Sequence, residues 1–152
     1  MKQNIGKFVV AAAMVLAVSG VARAHDDDDD AKPCRLSTLH GLYVFTASGF
    51  NIVSGVSQPK AIVELIDFHG DATITVPAAT VSINGVISPP LLQPGTGTYT
   101  LAADCTGTLQ FGTAPTGPAY NLFVAFKGAQ IQMIQTGPGS PVFQGTAERV
   151  SR

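Results

Sequence analysis

The stretch GTYTLAADCTGTLQFG, at positions 97–112, decides the fold class of this chain. In its first half Tyr99, Leu101 and Ala103 alternate with polar or small residues, so the larger apolar side chains share one face of an extended chain. A period of two is typical of a β-strand that is buried on one face. A turn at Cys105-Thr106-Gly107 separates this strand from the next one. The stretch therefore predicts two short antiparallel strands joined by a tight turn.

The same strand-and-turn unit recurs along the chain. Thr-Gly pairs stand at 96–97, 106–107, 116–117 and 136–137, and units of 8–12 residues are typical of all-β sandwiches and barrels. Further turns are predicted at His69-Gly70-Asp71, at Gly128 and at Thr136–Gly139. The eight predicted strands are His40–Ser48, Lys60–Phe68, Ala72–Ile83, Gly97–Ala103, Thr108–Gly112, Tyr120–Lys127, Ala129–Gln135 and Val142–Val150.

Closure of this sheet is expected because an open eight-stranded sheet leaves two exposed edges. We therefore predict an all-β fold, a single antiparallel up-and-down barrel of about eight strands, with a β-sandwich as the alternative. The proline-rich segment Ser88–Gly95 cannot supply a full ladder of hydrogen bonds. It is predicted to be a loop that acts as a lid over the barrel mouth.

The first 24 residues have the pattern of a secretory signal peptide. Lys2 and Lys7 precede the apolar run Phe8–Val18, and Ala22-Arg23-Ala24 is an A-x-A cleavage motif. The run is shorter than the ~20 apolar residues that a spanning helix needs. We expect cleavage after Ala24, no membrane anchor afterwards, and a mature protein in the periplasm or the medium.

Charge is distributed unevenly along the chain. Five carboxylates, Asp26–Asp30, stand together, whereas the chain from Ala31 onward has six basic and five acidic residues. Residues 25–33 are therefore predicted to be a solvated, disordered acidic tail ahead of a barrel domain at 34–152. The weaker alternatives are a Ca²⁺ site in the acidic run and a copper ligand at His25. The neutral body excludes nucleic-acid binding through bulk charge, and no metal or cofactor is assigned.

Cys34 and Cys105 are the two cysteines of the chain. An even pair in an exported protein is expected to form a disulfide, with two buried thiols as the alternative. The bridge would close a loop across 71 positions and contribute about 4 kcal/mol in the chain-entropy model.

Three stretches carry a resemblance to a known family: Cys34 with Leu39–Phe45, then Gly97–Thr108, and finally Phe143–Ala147. Together they resemble small secreted bacterial proteins of unknown function, grouped with the allene oxide cyclase-like barrels, whose architecture is similar to that of lipocalins. The resemblance implies an eight-stranded barrel. It transfers no catalytic residue to this chain.

One group of acidic and histidine residues, Glu64, Asp67, His69 and Asp71, is a candidate for acid–base chemistry. Asp67, His69 and Asp71 share one side of an extended strand and Glu64 points to the other. Because Gly70 places His69 and Asp71 at a hairpin tip, a polar turn is the favoured interpretation. Motifs for a serine nucleophile, a phosphate loop or a Cys-x-x-Cys pair are missing from the sequence, and no catalytic residue is assigned.

The predicted function is the binding of a small apolar or amphipathic ligand, because the strands have apolar faces with few charges. Tyr43, Phe45, Tyr99 and Phe126 are the candidate lining residues. One alternative is a structural or interaction protein with a filled core, since an eight-stranded barrel is just wide enough for side chains to fill. Another is an isomerase or cyclase acting on a lipid-like substrate, with Glu64 as the polar group in the cavity. The oligomeric state stays open.

Overall fold

A computed structural model describes residues 32–89, 94–137 and 142–151. The signal peptide, His25, the Asp26–Asp30 run, the centre of the Ser88–Gly95 loop and the end of the Thr136–Gly139 turn lie outside the described residues. The strands are β1 His40–Val53, β2 Val56–His69, β3 Thr73–Ile83, β4 Val86–Ile87, β5 Gly95–Leu101, β6 Thr106–Phe111, β7 Ala119–Ala125, β8 Gln130–Gly137 and β9 Val142–Arg149. Two 3₁₀ turns span Leu36–Thr38 and Phe126–Gly128.

The strands form a closed antiparallel barrel of eight strands with β4 as an extra strand, which confirms the predicted fold class. Each barrel strand pairs with its neighbours in the chain, and β9 returns to pair with β1. The barrel is thus an up-and-down meander without free long edges. The alternative of a sandwich is wrong.

The predicted strand bounds differ most at the first two strands. Residues 49–59 were expected to lie outside strands, but β1 and β2 continue to a tight turn at Ser54-Gly55, and Phe50 pairs with Pro59. A second hairpin was not predicted: Asn84 and Gly85, both with positive φ, connect β3 to β4. Such Asn-Gly pairs favour two-residue hairpin turns.

A β-bulge in β3 changes which of its residues face inward. Ile74 and Val76 are buried, Pro77 and Ala78 are both exposed, and the odd-numbered residues from Ala79 onward face the barrel interior. An extra residue on one strand produces this change of face. A strictly alternating strand over Ala72–Ile83 would have placed Ala79 outside.

The 3₁₀ turn Leu36–Thr38 covers one end of the barrel, which we call the closed end. The Cys34–Cys105 disulfide, with 5.0 Å between the two Cα atoms, ties the preceding chain to the β5–β6 turn and confirms the predicted bridge. Leu39 is fully buried beneath this segment. The opposite end, which carries the Ser54-Gly55 and Asn84-Gly85 hairpins, is called the open end.

Candidate ligand-binding site

The four predicted lining residues differ in burial. Tyr43, Phe45 and Tyr99 are almost fully buried inside the barrel, but Phe126 is 75% exposed. Strand β7 ends at Ala125, and the positive φ of Phe126 and Lys127 breaks the alternation on which the prediction depended. The prediction that Phe126 lines the interior is therefore wrong.

Tyr43 and Tyr99 lie at the closed end and hold its cover in place. The Tyr43 hydroxyl donates to the Gly128 carbonyl at 2.5 Å and accepts from Arg149 Nε at 2.9 Å and Nη2 at 2.7 Å. The Tyr99 hydroxyl donates to the Leu36 carbonyl at 2.8 Å. Burial raises the pKa of the Tyr43 hydroxyl despite the nearby Arg149. Because both hydroxyls are occupied by protein groups, these two tyrosines are structural anchors.

A pocket of about 350 Å³ lies at the open end, within the barrel. Strands β2 and β3 form one wall, and β5, β6 and β7 with the residues that join the last two form the other. The apolar lining residues include Ile62, Val76, Val81, Ile83, Phe111 and Tyr120. Few polar groups in a mostly apolar concave wall are typical of small-molecule sites. A larger groove of about 540 Å³ lies on the outer wall beside Phe123, but no titratable side chain lines it.

Glu64 is the acidic residue of this pocket. Its side chain is 7% exposed and faces inward from β2, opposite Phe45 on β1. Burial raises the pKa of the Glu64 carboxyl to about 7, and the nearby Lys60 charge opposes the shift. The carboxyl has no hydrogen-bond partner among the residues that the structure describes. It is therefore available to a bound molecule and changes its charge near neutral pH.

Lys60 is the basic residue of the same pocket, four positions before Glu64 on β2. Its ammonium donates to Gln135 Oε1 at 3.4 Å and lies 4.2 Å from the centroid of the Phe143 ring. Burial lowers the pKa of Lys60, and the Glu64 charge opposes that shift. Gln135 is itself buried and donates to the Gly137 carbonyl at 3.0 Å.

Tyr120 closes the inner side of the pocket. Its ring packs edge-on against Phe45 at 5.8 Å and against Phe111 at 5.6 Å between centroids. Burial and the neighbouring Glu64 charge raise the pKa of its hydroxyl, which therefore stays protonated at neutral pH. Phe45 packs against the Tyr120 ring but is not among the residues that line the pocket, and neither are Tyr43 and Tyr99.

From the sequence, Glu64 is the candidate polar group of the cavity under the isomerase alternative, whereas Lys60 has no predicted role. Lys60, Ile62 and Glu64 occupy alternate positions of one strand. Their common face could have been found from the period of two alone. Gln135 continues the alternation of Ile131 and Met133 in β8 and was identifiable in the same way.

The His69–Asp71 segment forms a polar turn, as the favoured interpretation predicted. Asp71 Oδ1 accepts from the Thr73 amide at 3.0 Å and from the Thr73 hydroxyl at 2.6 Å, and His69 Nδ1 lies 2.9 Å from Thr73 Oγ1. These bonds hold the pKa of the Asp71 carboxyl below its usual range. The turn is exposed and lies at the closed end, away from the Glu64 pocket.

The described part of the chain has no group of three or more His, Cys, Asp or Glu residues arranged to hold a metal ion. Nor do residues 32–89, 94–137 and 142–151 include a helix long and apolar enough to cross a membrane. Comparison with protein-family models, curated proteins and solved structures finds no match.

Proposed function

We propose that this protein is exported and that its barrel binds a small apolar or amphipathic molecule in the open-end pocket. The observation that carries the proposal is a cavity of about 350 Å³ that has apolar walls and also contains the side chains of Glu64 and Lys60. A protein with a completely filled core would have no such space. Buried ionisable groups in a cleft favour a functional site over a purely structural core.

Export is supported by two features of the chain. Disulfides such as Cys34–Cys105 persist in oxidising compartments, and residues 1–24 have the composition of a signal peptide. Mass spectrometry of the protein isolated from its host is expected to show a chain beginning at His25. An intact Met1 in that preparation would contradict export through this signal.

The binding proposal is tested with N-phenyl-1-naphthylamine, a neutral apolar dye that fluoresces in apolar surroundings. Ala79→Phe fills the pocket, whereas Ala78→Phe, at the neighbouring position, points to solvent because of the β3 bulge. We expect the wild-type protein to bind the dye and Ala79→Phe to weaken binding about tenfold. Ala78→Phe should bind as the wild type does. Equal affinity of the two variants, or no dye binding by the wild type, would overturn the proposal.

A second candidate function is an isomerase or cyclase acting on a lipid-like substrate. Glu64 favours it, because a carboxyl with a pKa of about 7 can both donate and accept a proton near neutral pH. Incubation of wild-type and Glu64→Gln protein with lipid extract from the host tests it, with chromatographic separation before mass spectrometry because an isomer has the mass of its substrate. A product formed by the wild type and absent with the variant supports turnover; identical lipid profiles oppose it.

A further inference from the structure

Charged side chains are segregated between the two ends of the barrel. Among the described residues, the charged residues other than Lys60 and Glu64 lie in the segment before β1, in closed-end turns, or near the closed-end termini of β2 and β9. They are Lys32, Arg35, Asp67, Asp71, Asp104, Lys127, Glu148 and Arg149. Lys60 and Glu64 thus set the electrostatic potential of the open-end pocket, and low-dielectric walls strengthen that potential.

The two open-end hairpins, residues 49–59 and 82–89, contain no charged residue and expose several apolar side chains. Phe50, Val53 and Val56 are exposed at the first hairpin, and Val86 and Ile87 at the second. A solvated ion therefore gains little free energy from contact with this surface. A molecule with an apolar body gains free energy there, because its apolar surface leaves water. The ligand that suits this end is apolar over most of its surface.

Lys60 and Glu64 differ in depth. They face the same way on β2, and four residues of a strand span about 13 Å. Lys60 pairs with Gly49 and Ile83 near the hairpins, whereas Glu64 pairs with Phe45 and Ala79 further inside. An entering molecule meets the ammonium first and the carboxyl second.

We propose that the open-end pocket binds apolar organic monoanions, with the Lys60 ammonium contacting the anionic group and the Glu64 carboxyl taking up a proton as the anion enters. This inference rests on the proposed binding function and specifies its ligand class. Without ligand, the pocket holds one positive charge and, when Glu64 is ionised, one negative charge. With the anion bound and Glu64 protonated, it again holds one of each, so the apolar site has no uncompensated charge.

The groups around the pair support this balance. Facing Glu64 from the other strands are Phe45, Ala79 and the protonated Tyr120 hydroxyl. Around Lys60, β8 contributes the neutral Gln135 and β9 the Phe143 ring. In the described part of the chain, no other charged group faces the pair. Once Glu64 is protonated, it, Lys60 and Tyr120 can all donate hydrogen bonds, which suits an oxyanion.

The test compares two dyes with the same aromatic framework. 8-Anilinonaphthalene-1-sulfonate carries a sulfonate that N-phenyl-1-naphthylamine lacks. We expect the affinity for the sulfonate dye to fall about tenfold from pH 6 to pH 8 as Glu64 loses its proton, while the affinity for the neutral dye changes less than about twofold. Circular dichroism at each pH verifies that the barrel stays folded.

Two variants assign the effect to the pair. Glu64→Gln should make the affinity for the sulfonate dye independent of pH. Lys60→Met should weaken the sulfonate dye at pH 6 about tenfold more than it weakens the neutral dye. Ala79→Phe should weaken both dyes, which places the sulfonate dye in the pocket. If the wild-type protein does not bind the neutral dye, the proposed function is overturned. Neutral-dye binding with a sulfonate affinity that does not change with pH, or that still changes in Glu64→Gln, would overturn the anion proposal alone.

Discussion

At the closed end the hydroxyls of Tyr43 and Tyr99 and the Arg149 guanidinium all have hydrogen-bond partners, whereas at the open end neither the Glu64 carboxyl nor the Tyr120 hydroxyl has one among the described residues. Among the described residues no fully buried side-chain nitrogen or oxygen lacks a partner, so the Glu64 and Tyr120 oxygens reach the solvent of the pocket. Polar groups bonded to protein support a stable fold, whereas polar groups that line a cavity without a protein partner are open to a bound molecule. We infer from this difference that the closed end stabilises the barrel, whereas the open end is suited to the binding that we propose.

Apolar packing follows the same division. At the closed end the Phe68 ring lies edge-on between Tyr43 and Tyr99, with 5.1 Å between centroids in each pair. At the open end the Tyr120 ring contacts Phe45, which lies outside the pocket lining, and Phe111, which lines the pocket with it. A void beside an aromatic ring forfeits the contacts that packing would supply. Substitutions at the closed end should therefore lower the unfolding free energy more than matched substitutions at the open end.

The largest expected effect comes from breaking the closed end at its disulfide. The double variant Cys34→Ser/Cys105→Ser should lose about 4 kcal/mol of unfolding free energy, because the unfolded chain is released from a loop of 71 positions. Urea denaturation of the oxidised wild type and the variant measures the difference. If the variant loses less than about 1 kcal/mol of unfolding free energy, the segment Leu36–Thr38 stays on the closed end without the disulfide.

The next effect concerns the open end and depends on pH. The Glu64 pKa rises from an ordinary 4.5 to about 7 on folding, so the folded state binds this proton more tightly than the unfolded state. The associated stability is fully present below pH 4.5 and is lost as pH rises through 7; the total loss is about 3 kcal/mol at 1.36 kcal/mol per pKa unit.

Glu64→Gln should remove this loss. The variant should exceed the wild type in unfolding free energy by up to about 3 kcal/mol at pH 8.5, and by much less at pH 4.5. Urea denaturation at both pH values measures it, with the exposed Glu148→Gln as a control that should track the wild type. A destabilised Glu64→Gln at pH 8.5 would mean that the carboxylate has a stabilising partner, and the comparison of the two ends would fail.

The sequence predicted the barrel well because its signals are local. Alternation in β5, β7 and β8 identifies inward residues such as Tyr99, Leu122 and Met133, and these are buried. The same alternation on β2 predicts that the Glu64 and Asp67 side chains point to opposite faces of the strand, and Glu64 is the buried one. Closure followed from the need to protect sheet edges. Each of these inferences depends on one strand or on a general rule.

The rule failed wherever the backbone departs from regular extension. The bulge at Pro77 and Ala78 reverses the inward face of β3, and the 3₁₀ turn after Ala125 sends Phe126 outward. The pocket also depends on long-range pairing: Lys60 and Gln135 are 75 positions apart and meet only because the barrel closes. Alternation places Lys60 and Gln135 in the interior, but spacing in the sequence does not encode the contact between them.

The smallest and most direct comparison removes one hydroxyl from each end. Tyr43→Phe leaves the Gly128 carbonyl without its donor and Arg149 Nε without its acceptor, while Arg149 Nη2 still donates to the Thr38 carbonyl. We expect it to reduce the unfolding free energy by about 2 kcal/mol. Tyr120→Phe deletes a hydroxyl that faces the pocket without a partner, so it should change stability by less than about 0.5 kcal/mol. Both substitutions remove the same atom from a buried tyrosine, and urea denaturation at pH 7 compares them directly. If Tyr120→Phe were the more destabilising variant, the open end would hold a structural hydrogen bond there, and the pocket would lose one of the three donors assigned to an incoming anion.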